Sequence, residues 1–229
     1  CIEPAAVAMR ANTCQRVIDV VLGALANILP EKVVAAANGA NTSAVFAGYD
    51  PRNGQRYVYL ETLGGGMGGR ARKDGKDGVQ VNITNTSNLP VEAIETEYPL
   101  RVEEYTFVRD SGGAGKNRGG LGIRRSIRPV GHSCEFNGVG ERFRHKPWGL
   151  FGGKPGSNGK FFLQGPNEEI IRLPSKATGI RLHSNYKAVI ETPGAGGYGK
   201  PSDRSRDNLD KDLTSGKFSQ KFIAKHYKT

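Results

Sequence analysis

The chain has 229 residues, enough for one large domain or two small ones, and its 32 glycines follow no G-X-Y period, which excludes a collagen-like structure. A net charge of +11 admits an anionic partner or an acidic companion chain, but with no run of five like charges and no basic helix interleaved with aromatics, nucleic-acid binding is a minor reading. Cys1, Cys14 and Cys134 form no CxxC pair, which argues against a disulfide framework and for a reducing, cytoplasmic setting, and neither a span of about 18 apolar residues nor a signal-peptide layout is present.

In chain order, Asn12 or Thr13 is placed to cap a helix running to about residue 28. Val17, Val20, Val21, Ala24 and Ile28 fall on one face, expected to meet a core, with Arg16, Asp19 and Asn27 off it. Segments 42–49 and 56–62 alternate or cluster β-branched and aromatic residues around Asp50-Pro51-Arg52-Asn53-Gly54, which predicts a hairpin. Further strands are predicted at 79–83, 100–109, 122–129, 133–141, 160–163, 169–173 and 186–192. A short helix is predicted over 89–98, after Asn88 and with Pro90 in its first turn. From Ser202 the chain turns charged, and helices are expected at 203–213 and 219–227, joined at Ser215-Gly216. The expected class is therefore α+β, mainly β: an N-terminal amphipathic helix, many short, mostly antiparallel strands with Gly-rich loops, and two short C-terminal helices.

The loop Leu63 to Arg70 formally satisfies G-x-G-x-x-G through Gly64, Gly66 and Gly69. A polar loop rather than a long helix follows, so a dinucleotide fold is not expected. The glycines serve either to let backbone N–H groups face an anion or a flat substrate, or to make a tight structural turn. Residues 110–122 resemble a phosphate loop but fail the Walker A test, because Lys116 is followed by Asn117. Asn82 to Asn88 offers ligand hydrogen bonds or Asx turns, with Asn88 favoured as structural. Glu92, Glu95, Glu97, Glu103 and Glu104 could act as acid and base, or pair with nearby arginines. The four histidines are far apart and make no metal motif. Cys1 could serve as an N-terminal nucleophile, although a fragment or cleavage boundary explains it more simply.

The blocks TCQRVIDVVLGALANILPEKV, LETLGGGMGGRARKDGKDGVQVNITNTSNLPVEAIETEYPLRVEEY, RDSGGAGKNRGGLGIRRSIR, GERFRHKPWGLFGGKPG, LPSKATG and IETPGAGGYGKP, taken together and in this order, resemble the hydantoinase B/oxoprolinase family over nearly the whole chain. The resemblance implies that residues 1–200 are the C-terminal, β-rich portion of a B-type subunit. Residues 201–229 are then a helical tail packing on that portion or on a partner. It implies an ATP-dependent complex that opens a cyclic amide (a hydantoin, 5-oxoproline or another lactam) through a phosphorylated intermediate. The alternatives are part of an acetone/acetophenone-type carboxylase, or a non-catalytic scaffold. ATP and Mg would be bound by an A-type partner subunit. A divalent metal would sit in the N-terminal half of the B-type subunit, which this sequence lacks and another chain would carry, or in a partner chain. No metal, nucleic-acid or membrane site is expected in this chain itself. Its expected substrate contacts are Gly65, Gly66, Arg70, Asn85, Thr86 and Glu92, within the stretch 64–92.

Overall fold

A computed structural model describes residues 10–227. Cys1 lies outside them. The described part opens with α1 (Arg10–Leu25) and runs through the hairpin β1 (Thr42–Tyr49) and β2 (Arg56–Leu63) to α2 (Val91–Glu97). It continues through β3 (Leu100–Phe107), β4 (Ile123–Pro129), β5 (Cys134–Val139), β6 (Lys160–Gln164), β7 (Ile170–Leu173), β8 (Lys176–Leu182) and β9 (Lys187–Glu191). A 3-10 turn at Pro201–Asp203 leads into α3 (Arg206–Thr214) and α4 (Gln220–His226).

The strands form a four-stranded sheet, ordered β2-β1-β5-β8, and a five-stranded sheet, ordered β3-β4-β9-β6-β7. Every ladder within them is antiparallel. The hairpin shows how sequence dictates this. Gly54 adopts φ +72° and its N–H closes the turn on Asp50 O at 2.7 Å, which sets Tyr49 opposite Arg56. Along β2, Tyr57, Tyr59, Glu61 and Leu63 then point inward and Arg56, Val58 and Leu60 outward.

The core lies between the sheets. Phe46, Tyr59 and Phe136 from the first meet Ile127, Phe161 and Ile190 from the second, and Ile94 of α2 closes one end. Phe136 and Phe161 touch edge to face, with ring centres 6.1 Å apart. One ion pair is sunk into this apolar layer. Arg125 of β4, fully buried, brings Nη2 to 3.1 Å from Glu61 Oε1. The two are close but not aligned for a hydrogen bond. Burial raises the Glu61 carboxyl above its ordinary value, against the opposing pull of Arg125.

Four predicted features are corrected. Asn12 does not cap α1; it lies inside the helix and its Oδ1 accepts the Asn41 N–H at 2.8 Å. The helix also faces the other way. Asn12, Gln15 and Asp19, spaced along one side, are buried, while Val17, Val20, Val21 and Ile28 are exposed. Gln15 Nε2 donates to Val81 O at 2.8 Å, and Asp19 Oδ1 accepts the Ala37 N–H, so the inward face meets polar backbone rather than an apolar core. The predicted strand at 79–83 reduces to a single bridge from Val79 to Gly65, because Asn82 turns the chain at φ +56°. Pro90 stands just before α2 rather than within its first turn. Among the described helices none is long and apolar enough to cross a membrane.

Candidate functional site

The glycine-rich segments converge on one knot. Gly65, Gly66 and Gly69 donate to Val79 O, Pro193 O and Gly196 O at 3.0, 3.1 and 2.9 Å. Ala195 donates to Gly120 O and Gly120 to Met67 O, so loops 64–70, 112–122 and 193–199 interlace through backbone alone. A Cβ on Gly66 would lie 2.1 Å from Gly120 O, and one on Gly68 1.8 Å from Ala35 O. Backbone crowding is therefore the physical reason for these residues. The N–H groups of Gly65, Gly66 and Gly69 are engaged by this chain's own carbonyls.

Of the other expected contacts, Arg70 is half-buried and donates to Asp74 O at 2.8 Å. Asn85 and Thr86 are exposed on the segment leading into α2 and Glu92 is exposed in its first turn, and among the described residues no side-chain hydrogen bond joins them to the Gly65–Arg70 loop. The acidic run is largely taken up by neighbours. Glu95 Oε1 accepts the Val102 N–H, Glu103 pairs with Arg128, and Glu104 with Arg124.

Two arginine clusters flank the knot. In the first, Arg118 donates to Asp77 at 2.7 and 3.1 Å and to Asp212 at 3.0 Å. Arg204 grips Asp74 at 2.8 and 2.9 Å and reaches Asp212 at 2.6 Å. Lys217 Nζ adds a contact to Asp77 at 3.1 Å. Three cations thus meet three carboxylates, and every guanidinium nitrogen has a partner. Burial raises the carboxyl groups of Asp74 and Asp77. The hydrogen bonds and charges of Arg204 and Arg118 outweigh that and hold both below the ordinary carboxylate range. The cluster ties α3 to the knot and is structural in kind, although a hollow of about 450 Å³ lies over it.

The second cluster is unbalanced. Arg16 Nη2 and Arg142 Nη2 both donate to the same oxygen, Asp19 Oδ2, each at 2.8 Å. Arg142 is buried, stands at φ +62°, and lies over the Trp148 ring at 4.7 Å. A non-glycine residue held there costs about 1–3 kcal/mol, strain that concentrates at functional positions. The Nε atoms of Arg16 and Arg142 are buried without a partner among the described residues. Burial first, then the charge of Arg142, lowers the Arg16 guanidinium to about 10. Gly39, at φ +56°, leaves the space Arg16 occupies: a Cβ there would lie 1.1 Å from Arg16 Nη2. A cavity of about 330 Å³ opens beside the pair, lined also by Glu141, Arg144 and His145. A desolvated, charge-rich concavity of this kind is suited to holding an anion.

Sequence reading missed this site because Arg16 and Asp19 were assigned to a solvated face. The signal was present in the polar stripe Asn12, Gln15, Asp19 at helical spacing. Their partner Arg142 lies 123 residues beyond Asp19, a pairing no local pattern reveals. Cys14 is exposed; Cys134 is buried, which pushes its thiol up to about 11. Among the described residues, no three His, Cys, Asp or Glu side chains cluster as metal ligands would.

Residues 1–201 match the family model described as hydantoinase B/oxoprolinase. The chain is 34% identical to the B-type component of a putative D-/L-hydantoinase of Pseudomonas sp. strain NS671, covering 94% of this chain and 36% of that protein. It is 30% identical to the beta component of the caprolactamase of Pseudomonas jessenii, covering 86% and 35%. Among solved structures, the ATP-dependent caprolactamase from Pseudomonas jessenii superposes with a TM-score of 0.75 at 24% identity, over 89% of this chain and 36% of that one, a likeness of fold. The chain thus spans about a third of the length of these relatives.

Proposed function

The chain belongs to the hydantoinase B/oxoprolinase family, and from that premise we propose that it is part of an ATP-dependent amidohydrolase complex that opens a cyclic amide through a phosphorylated intermediate. The observation that carries the reading is that relatives named for hydantoin and caprolactam opening match more than four-fifths of this chain. Chemically, a lactam carbonyl is a poor electrophile. Phosphorylating its oxygen makes a leaving group and creates an anion that the complex must hold. ATP and Mg are bound by an A-type partner in this reading, and any divalent metal by the part of the B-type subunit outside this chain. Arg70, Asn85, Thr86 and Glu92 contribute substrate contacts once that partner is present, with Gly65 and Gly66 shaping the loop behind Arg70.

A further contact partner for this face is supported by α1 and the turn after it. Val17, Val20, Val21, Ile28 and Leu29 present an apolar strip to solvent, with Val20 61% and Ile28 73% exposed. A strip of that kind marks an interface. In this reading the strip is covered by the part of a B-type subunit that the relatives carry beyond the matched third.

The test is ATP hydrolysis by the purified complex with a panel of cyclic amides. Stimulation of at least about tenfold by one of them supports the reading. Equal ATP turnover with and without every cyclic amide sinks it. Turnover that instead requires a ketone and bicarbonate would assign the complex to the carboxylase alternative.

A further inference from the structure

We infer that the cavity between α1 and the 141–146 loop binds a phosphate dianion, free or as the terminal group of a phosphorylated small molecule, through Arg16, Arg142 and Arg144. The inference deepens the functional reading above, since an ATP-dependent reaction produces such anions. Its warrant is separate.

Charge comes first. Arg16, Arg142 and Arg144 line this cavity beside one carboxylate, Glu141, and Asp19 pairs with the first two. Three cations thus meet two carboxylates, a positive surplus that an anion offsets, and a phosphate has more acceptor oxygens than a carboxylate with which to engage three guanidiniums. Geometry comes second. Asp19 is shared by two guanidiniums through one oxygen, so their remaining N–H groups are left without a carboxylate. The guanidiniums that line the cavity are planar donors of the kind a tetrahedral oxyanion takes up, and among the described residues the buried Nε atoms of Arg16 and Arg142 have no partner. Preorganisation comes third. Trp148 stacks on Arg142, Asp19 orients both arginines, and Gly39 clears the path of Arg16, so the donors are held before any ligand arrives. The cavity volume, about 330 Å³, admits a phosphate with a small organic group attached.

The experiment titrates inorganic phosphate into the full chain in its purified complex and follows heat and ³¹P line width. Saturable binding is expected, weakened about tenfold or more in Arg16→Gln and in Arg144→Gln. Sulfate should displace phosphate and acetate should not. Arg144 is exposed, so its variant carries the test if changing Arg16 disturbs folding. ADP and ATP titrated in parallel distinguish the sources: a nucleotide bound more tightly than phosphate assigns the site to a nucleotide's terminal group, and the reverse to free phosphate. The inference is overturned by absent phosphate binding, by unchanged binding in both variants, or by acetate competing as well as sulfate. Cyclic-amide-dependent turnover is measured on the same samples. Binding without turnover sinks the functional reading alone, and turnover without binding sinks this inference alone.

Discussion

The two arginine clusters use the same residue type at similar burial for different ends. Arg118 and Arg204 are slightly more enclosed than Arg142, at 3% and 6% exposure against 8%. Around the first pair, three carboxylates absorb three cations and leave no donor idle. Around Arg142 and Arg16, a single carboxylate oxygen serves both. Burying a guanidinium costs free energy wherever it happens. A cluster that recovers the cost internally holds the fold together; one that leaves it unrecovered is poised to gain from a ligand. Counting carboxylates per buried arginine therefore separates a clamp from a binding site more sharply than conformation or exposure does. The same count accounts for most of the arginines between residues 109 and 146. Arg118, Arg124, Arg125, Arg128 and Arg142 all pair with this chain's own acids.

The largest expected effect breaks the clamp. Asp212→Ala strips a carboxylate from Arg118 and Arg204 at once, leaves buried charge uncompensated, and should cost about 3–5 kcal/mol in chemical denaturation. Asp19→Ala should cost less, because Arg16 is partly exposed beside an open cavity and water can replace the lost partner. Equal losses for the two variants would erase the distinction.

Gly39→Ala comes next. It forces a side chain into positive φ and into the space of Arg16 Nη2, with an expected cost of about 1–3 kcal/mol. It also predicts weaker phosphate binding, because Arg16 must leave its station. A variant that lost stability yet kept full phosphate affinity would show Arg16 to be a bystander.

Acid sharpens the comparison further. Asp74 and Asp77 sit below their unfolded value of 3.8 in the native chain. Their contribution is therefore complete above that value and is lost as pH falls through the lower folded values. Glu61 runs the other way. Its carboxyl is raised above 4.5 by burial, so the native state binds the extra proton and stability declines as pH rises past 4.5. The double variant Asp74→Asn, Asp77→Asn should flatten the acid limb below about pH 4, and Glu61→Gln the gentler slope above pH 4.5, read as stability against pH.

Much of the fold was legible where local chemistry decides it. The Asn53-Gly54 turn announced the β1–β2 hairpin, and Ser215-Gly216 the break between α3 and α4, where Gly216 takes φ +71°. Strand β8 escaped notice because Gly179, at φ +67°, and a register shift between Phe136 and Gly138 on its partner break the alternation that marks a strand. The orientation of α1 was misread for a related reason. Val17, Val20 and Val21 look like a core stripe, but the surface α1 meets presents backbone groups, which Gln15 and Asp19 serve. The glycines were visible as a puzzle with two answers, and only the backbone approaches across loops far apart in sequence identify crowding as their reason. Asp19 and Arg142 meet for the same long-range cause.

The smallest expected effect is also the most diagnostic of an unbalanced site. Arg144→Gln removes an exposed cation with no carboxylate of its own among the described ion pairs. In a balanced cluster such a change forfeits an attraction. Here the cation lost is exposed on a cavity lined by more arginines than carboxylates, so the melting temperature should match the wild type or exceed it by about 1–2 °C. Added phosphate should invert the order. The wild type gains stability in proportion to the ligand it binds, and the variant, binding more weakly, gains less. A crossing of the two melting temperatures as phosphate rises is thus the expected signature. Curves that stay parallel would mean that the surplus charge beside Asp19 is met by solvent alone.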